Sequence, residues 1–267
     1  NRAKKAAVAS ARGMSDAFGN VKSSIFSLQS ALIGLAGGYA AINFAKTFYD
    51  AGVQVNSMDK SLKAALGSAS EATKAQKFLR EESERLGMVY VDTLKSYKSL
   101  AASTKDTVLA GKATKDLFVG LAESGTALQM STDDMTGSIR SFVQMISKGQ
   151  VMSEEVKGQW AERLPGAFQI SAKAIGKTTM EFSKMLEKGE VISEEFIPKI
   201  AKALTEVFGK DAIDSADSLR NHMNRLTNSW FYFREAVMEA GLTDTLIDAI
   251  KEINSEMKKW LSNNSEL

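Results

Sequence analysis

The sequence predicts an all-α fold: a multi-helix globular bundle flanked by heptad-patterned, coiled-coil-like helices. Its 267 residues include only two prolines, and proline is the residue that most strongly interrupts helices. Apolar residues recur at helical spacing through most of the chain, and only the short run at 88–91 looks like a strand. Helical runs without alternating strands are typical of helix-on-helix packing.

Composition narrows the classes of function. The chain has 44% hydrophobic residues, and its length suits one large core or two small ones. Its 34 basic and 32 acidic residues give a net charge of +2, so charge alone indicates neither a nucleic acid nor an acidic substrate. The absence of cysteine and the single histidine, His222, exclude disulfides, thiolate sites and sites that need two histidines. We expect no cofactor, no metal and no small-molecule substrate.

Three segments are predicted. Residues 1–57 form a basic tip and a heptad-patterned helix, residues 58–215 form a globular helical domain, and residues 216–267 form heptad-patterned helices that lead into a rod. The first residue is Asn rather than Met, so we expect the chain to be an excerpt of a longer protein or a processed product.

The N-terminal segment predicts a coiled-coil helix. Residues 1–22 carry five basic residues and one acidic residue, which is typical of a solvated end, with contact to nucleic acid or an anionic surface as the alternative. Residues 23–45 are uncharged, but their serines and glycines make a poor membrane span. Apolar residues from 14 to 42 follow a heptad repeat, which favours helices that wind around each other. The alternative is a long amphipathic helix that packs on its own domain. The predicted oligomer seam comprises Phe18, Val21, Ile25, Leu28, Leu32 and Leu35.

Medium-length helices open the globular segment. One is predicted from 71 to 86 and ends at Gly87, since glycine adopts the left-handed conformation that ends many helices. Asp92 is the predicted cap of the next helix. A third helix is predicted from about 112 to 123.

Nine residues occur twice in nearly the same form: KGQVMSEEV at 148–156 and KGEVISEEF at 188–196. A helix-capping signature precedes each copy, at 131–134 and 178–181. Lysine followed by glycine is typical of a helix end, and serine followed by two glutamates is typical of a helix start. Each copy therefore predicts a corner that ends one helix and begins another. The predicted corner residues are Gly149, Ser153 and Glu154 in the first copy and Gly189, Ser193 and Glu194 in the second.

The duplicated glutamates raise the question of a hydrolase. A carboxylate-pair hydrolase needs two acids across a cleft, whereas adjacent residues on a helix do not face each other, so we interpret these glutamates as helix N-terminal charges. Between the copies, Pro165 predicts that one helix ends near Arg163 and that another begins at Pro165. Glu162 and Arg163 are a candidate acid with its electrostatic partner; the alternative is helix-end charges or an intramolecular salt bridge.

Two apolar series near the C-terminus predict further coiled-coil helices. The second series runs from 246 to 260, after a break at Gly241. The first series has heptad spacing and consists of Leu219, Met223, Leu226, Trp230, Phe233 and Val237. Of these, Leu226, Trp230 and Phe233 are assigned to the oligomer seam. We expect a homotrimer, because this mixture of leucine, isoleucine and aromatic residues does not specify a dimer. His222 is expected at the surface or at an interface rather than as a pH switch.

Two stretches, 145–179 and 184–209, carry a family resemblance. A skeleton KGKV-x-x-EEL-x-GQLGERLPGA is matched by Lys148, Gly149, Val151, Glu154, Glu155, Gly158, Gln159, Glu162, Arg163, Leu164, Pro165, Gly166 and Ala167. Trp160 stands where leucine is usual, and Ala161 stands where glycine is usual. With this motif the chain resembles the N-terminal domain of the tape measure proteins of long-tailed bacteriophages and prophages. The likeness extends more loosely over about 165 residues, from Leu66 to Trp230.

The resemblance implies a structural virion protein that is not an enzyme. Tape measure proteins lie in the lumen of the tail tube, set tail length by templating polymerisation of the tail tube protein, and work with tail assembly chaperones. The resemblance also implies assembly in the host cytoplasm and transient contact with DNA or membrane during ejection. Since some members carry a peptidoglycan hydrolase or a membrane-inserting segment, these are the alternative functions, at Glu162 and at residues 23–45.

Overall fold

The computed structural model describes residues 38–238 together with Ser255, Lys258, Lys259 and Ser262. Within that part of the chain the all-α prediction is confirmed, since nine α-helices and one π-helix are present and no strand is formed. The α-helices are α1 (Gly38–Leu66), α2 (Ala69–Leu86), α3 (Tyr90–Thr104), α4 (Lys112–Ala127), α5 (Thr132–Lys148), α6 (Ala167–Ala174), α7 (Thr179–Glu187), α8 (Ser193–Ser215) and α9 (Leu219–Val237). The π-helix, Glu154–Trp160, lies between α5 and α6. The strand-like run at 88–91 forms the turn into α3 and its first residues.

The chain divides into two compact units. The first comprises residues 1–52 and 234–267, and the second comprises residues 53–233. In the described part of the first unit, Phe48 and Ala51 of α1 are buried, and Arg234 Nη1 donates a hydrogen bond to the carbonyl oxygen of Thr47 at 3.3 Å. The predicted seam from Phe18 to Leu35 lies outside the described residues.

In the second unit, α4 and α8 form the centre of the core. At Gly120 the two helices approach closely, because a Cβ atom there would lie 2.8 Å from the carbonyl oxygen of Ala201 and 3.0 Å from Leu204 Cβ. Three leucines near this contact are fully buried: Leu117, Leu121 and Leu204. Glycine is therefore required at 120 by close helix packing, and the sequence alone did not indicate this.

The turn between α2 and α3 follows its sequence signals closely. Ser68 accepts a hydrogen bond from the backbone N–H of Glu71 and caps α2, and α2 ends at Gly87, whose φ is 65°. Asp92 is not the cap of α3; Val89 holds that position, and Asp92 lies in the first turn. In α3, burial of the Tyr97 side chain raises its pKa to about 12, and the negative charge of Glu71 contributes to the same rise. Local bonds thus set both ends of α2, whereas the start of α3 has no local side-chain cap.

The start of α7 carries the complete predicted capping box. Thr178 accepts from the backbone N–H of Glu181 at 3.2 Å, and the Glu181 carboxylate accepts from the backbone N–H of Thr178 at 2.8 Å. These backbone and side-chain bonds from Thr178 lower the pKa of Glu181. Because the pKa of this carboxylate is lowered, the cap stabilises the fold at pH values above the unfolded-state pKa of glutamate. This stabilisation is lost as the pH falls through the folded-state pKa of Glu181.

Substituting Thr178→Ala is expected to raise the pKa of Glu181 toward its ordinary value, because the hydroxyl bond to the carboxylate is removed. An NMR pH titration of the Glu181 side chain measures the change. The matched control is Thr178→Ser, which keeps a hydroxyl and should keep the pKa lowered. Equal pKa values for Glu181 in the two variants would contradict the assignment of the cap.

Candidate functional site

The two copies of the repeated nonamer lie side by side and bind each other. The backbone N–H of Val151 donates to the carbonyl oxygen of Val191 at 2.9 Å, and the N–H of Ser193 donates to the carbonyl oxygen of Gly149 at 3.1 Å. Together they form an isolated antiparallel bridge between Gln150 and Ile192. The corners predicted separately are therefore one feature, which we call the paired corners, residues 149–155 and 189–195.

Both predicted glycine helix ends are confirmed. Gly149 follows α5 with φ of 72°, and Gly189 follows α7 with φ of 66°. At the second corner the N–H of Gly189 donates to the carbonyl oxygen of Leu186 at 3.2 Å, and that of Glu190 donates to Met185 at 2.9 Å. This is the hydrogen-bond pattern of a Schellman motif, which requires a left-handed residue after the helix.

The serine caps were predicted wrongly. Ser153 has a helical backbone conformation and makes no capping bond, whereas a cap residue is normally extended. Ser193 is already the first residue of α8, and Ile192 holds the cap position without a side-chain bond. At the second corner the backbone N–H of Ser193 is bound to Gly149, so the pairing of the corners, not a hydroxyl, fixes where α8 starts.

The glutamates of the two copies have different environments. Glu154 and Glu194 are exposed in the first turns of their helices, as expected for charges at helix N-termini. Glu155 is completely buried, and its Oε1 atom accepts a hydrogen bond from Lys148 Nζ. Its second carboxylate oxygen has no hydrogen-bond partner among the described residues. The hydrogen bond that Lys148 donates to Glu155 is the main cause that raises the pKa of Lys148.

Substituting Lys148→Met is expected to lower the free energy of unfolding, because it leaves the buried Glu155 carboxylate without its cation. Urea titration followed by circular dichroism measures the loss. The control is Lys188→Met in the second copy, because Lys188 and Glu190 are both exposed, lie 3.7 Å apart, and such pairs contribute little. Equal losses, or a double variant Lys148→Met/Glu155→Leu less stable than Lys148→Met alone, would refute this assignment.

The segment after the first corner forms a π-helix, not the α-helix expected to reach Arg163. It ends at Trp160, and the N–H of Ala161 donates to the carbonyl oxygen of Val156 at 2.8 Å, a spacing of five residues. The next helix, α6, begins at Ala167 and not at Pro165. Gly166, with φ of 82°, occupies the cap position, so a left-handed turn comes between the proline and the helix.

Trp160 places this segment in the core. Its side chain is fully buried, and its ring packs edge-on against Phe142 of α5, with ring centroids 4.7 Å apart. Leu164, also from the family motif, is fully buried as well. The substitution of tryptophan for the usual leucine therefore adds aromatic packing between the π-helix and α5.

Glu162 and Arg163 have different surroundings. Glu162 is exposed, and Arg163 Nη1 donates to the carbonyl oxygen of Gln159. The Arg163 side chain also lies against Gly137 of α5, where a Cβ atom would overlap it. Gly158, Pro165 and Gly166 are exposed. These motif residues thus build the turn between the π-helix and α6 and dock it on α5.

Sequence reasoning missed the polar face of α9. Asn221 Nδ2 donates to the carbonyl oxygen of Leu86 at 3.2 Å, Asn224 Nδ2 to that of Gly87 at 2.9 Å, and Asn228 Nδ2 to that of Met88 at 2.7 Å. Asn228 Oδ1 also accepts from the backbone N–H of Tyr90 at 2.8 Å. The signal was present, because asparagines spaced three and four residues apart share one helix face.

The α9 part of the predicted seam lies on the opposite face. Leu226 and Trp230 are 62% and 47% exposed, and Phe233, partly buried, stacks on Trp230 with ring centroids 5.5 Å apart. His222 is exposed, as predicted, with Nε2 2.9 Å from Asp217 Oδ1.

Two features of the described residues bear on the alternative functions. They contain no cluster of three acidic or histidine side chains able to hold a metal ion. Among the described helices, none is both long and apolar enough to span a membrane, and most of the uncharged stretch 23–45 lies outside the described part of the chain.

Comparison with known proteins identifies the family. The family model for tape measure proteins matches residues 46–239. The probable tape measure protein of Salmonella phage Felix O1 (isolate Felix O1-VT1) is 30% identical over 181 residues, which are 68% of this chain and 24% of that relative. This chain therefore spans about a quarter of the relative's length. No solved structure matches. Since the match covers the paired corners and α9, the chain belongs to the tape measure protein family of phage tail structural proteins.

Proposed function

We propose that this chain is the folded, non-catalytic scaffold portion of a tail-length ruler, which templates assembly of the tail tube and lies in the tube lumen of the virion after assembly in the host cytoplasm. The observation that carries the proposal is the use of the family motif for helix corners and core packing. Trp160 and Leu164 are fully buried, and Arg163 bonds to the backbone of its own segment. The residues of this segment thus have structural contacts in the folded domain, which supports a scaffold function.

Length measurement itself is assigned to the heptad-patterned segments. A helix advances about 1.5 Å per residue, so an uninterrupted helix converts residue number directly into length. In the unit 53–233 the helices turn back on one another at the paired corners and at Gly87. Residues in that unit therefore contribute less length than residues of a continuous rod.

The partners follow from this assignment. We infer contacts of the scaffold portion with the tail tube protein and with tail assembly chaperones, and self-association as a trimer through the N-terminal seam. The seam residues, Phe18 to Leu35, are apolar at heptad positions, which is the pattern of self-assembling helices. Light scattering of the purified chain tests self-association, and a monomer at every concentration would contradict it.

The tail-length proposal is tested in phage by two changes to the complete gene. An insertion of three heptads after residue 260 is expected to lengthen tails by about 30 Å, because each inserted residue adds about 1.5 Å of helix. An in-frame deletion of residues 58–215 is expected to prevent tail formation or to uncouple tail length from the ruler. Electron microscopy of purified particles measures both outcomes.

The control insertion is a scrambled sequence of the same length without heptad spacing, which should not give the same increment. Tails of normal number and length from the deletion would show that the folded portion is dispensable for assembly. Tails unchanged by the heptad insertion would show that the protein does not set their length.

A further inference from the structure

Helix α9 contacts the protein through three asparagines and the buried ring of Phe231, and it turns its heptad-spaced apolar face toward solvent. The three asparagines described above bind the backbone at the α2–α3 turn. On the other face, Leu219, Met223 and Leu226 are 79%, 54% and 62% exposed. A helix held to its own domain by the hydrophobic effect does the reverse and buries its apolar stripe.

The exposed side chains form one continuous surface, the α9 ridge, defined as Leu219, Met223, Leu226 and Trp230. Residues three and four apart are neighbours on a helix, and their alternating spacing is that of a coiled-coil seam. A contiguous exposed apolar surface marks an interaction site. The shape of the ridge fits a partner helix rather than an extended peptide or a small molecule.

One edge of the ridge carries a fixed positive charge, that of Arg220. With Met223 at a heptad a position and Leu226 at d, the neighbouring e and g positions are held by Arg220, His222, Thr227 and Ser229. No acidic residue occurs between Leu219 and Arg234. In a coiled coil the e and g residues choose the partner through ion pairs across the seam.

Carboxylates from neighbouring elements contact His222 and Arg225 but not Arg220. Asp217 reaches His222, with 2.9 Å between Oδ1 and Nε2, and Glu84 reaches Arg225, which lies away from the ridge. Arg220 Nη1 instead donates to two carbonyl oxygens, of Gln129 at 3.0 Å and of Met130 at 3.3 Å. These bonds orient the guanidinium without neutralising it.

We propose that the α9 ridge docks an acidic amphipathic helix of another protein, with apolar residues at a and d and glutamate or aspartate at e and g. A second copy of α9 fits less well, because its e and g positions offer no acid to Arg220. This assignment takes Leu226 and Trp230 out of the predicted self-association seam. The docking proposal rests on the proposed scaffold function, but its test uses the purified chain and does not depend on tail assembly.

The test uses two synthetic helical peptides of three heptads, both with leucine at a and d, one with glutamate and the other with lysine at e and g. Binding to the purified 267-residue chain is measured by fluorescence anisotropy at low and high salt. The glutamate peptide is expected to bind about tenfold or more tightly than the lysine peptide, and salt should weaken its binding.

Two matched double variants locate the site. Met223→Ser/Leu226→Ser removes part of the ridge and should weaken binding of the glutamate peptide by about tenfold or more. Val207→Ser/Ile213→Ser removes two side chains of α8 that are 45% and 50% exposed, and should leave binding unchanged. Circular dichroism of each variant verifies that the fold is retained.

Three results would overturn the proposal: no binding of the glutamate peptide, equal binding of the two peptides, or equal effects of the two double variants. A fourth would replace the occupant: if light scattering showed an oligomer that only the ridge variant dissociates, a second copy would be the partner. Tail length could still respond to heptad insertions in every case, so failure here is distinct from failure of the ruler function.

Discussion

Substituting Trp160→Ala is expected to lower the free energy of unfolding by about 3–5 kcal/mol, the range for truncating a large buried aromatic residue. The side chain is fully buried and packs on Phe142, so its removal leaves a cavity where the π-helix meets α5. Native stabilities are only about 5–15 kcal/mol, and the loss would therefore be a large fraction of the total. Urea titration followed by circular dichroism measures it.

Two controls make the Trp160 result specific. Trp160→Leu introduces the residue usual in the family and should cost less than Trp160→Ala, because apolar contacts are retained. Leu219→Ala truncates a side chain that is 79% exposed, and its effect should stay within about 0.5 kcal/mol. A similar loss for Trp160→Ala and Leu219→Ala would mean that Trp160 does not pack in the core as described.

Substituting Gly87→Ala is expected to destabilise the protein by about 2–5 kcal/mol, from two separate penalties. The left-handed conformation, with φ of 65°, costs a residue with a Cβ roughly 1–2 kcal/mol. The added Cβ would also overlap Asn221 Cβ and lie 3.0 Å from Asn221 Cα, and such overpacking costs about 1–3 kcal/mol. Thermal and urea unfolding measure the sum.

The matched control is Gly149→Ala at the first corner. Gly149 has φ of 72°, and nothing lies within 4 Å of where its Cβ would stand, so only the conformational cost of about 1–2 kcal/mol applies. The difference between the two variants isolates the overlap with α9. Equal losses would mean that α9 does not press on the α2–α3 turn at Asn221.

Local signals in the sequence predicted local structure well. The capping box at Thr178 and the left-handed glycines at 149 and 189 all follow from groups a few residues apart. Such groups interact in any compact form of the chain, so their positions are encoded in short stretches. The all-α class followed for the same reason, from helical spacing.

Long-range pairing could not be predicted from one sequence. The similarity of the two nonamers indicated two corners, but nothing local showed that Val151 and Val191 hydrogen-bond to each other. Pairing also displaced the serine caps, since the N–H of Ser193 is bound by Gly149. The π-helix is a further case, because its five-residue hydrogen-bond spacing leaves no clear periodic mark in seven residues.

The seam prediction shows the same division between local and long-range information. Heptad spacing correctly placed Leu219, Met223 and Leu226 on one face of a helix. It did not reveal that the other face was occupied by asparagine bonds to residues about 140 positions earlier, of which Asn228 to Met88 is one. An apolar period alone identifies a face but not what covers it.

The paired corners also determine how the chain would yield to mechanical tension. Residues 149 and 193 lie opposite each other in the antiparallel bridge, so a pull applied along the chain enters and leaves at the same edge. Hydrogen bonds loaded in this way open one after another, first Ser193 to Gly149 and then Val151 to Val191, instead of sharing the force. The stretch between the corners then joins the load path, where the buried side chains of Trp160, Leu164 and Phe182 resist its release.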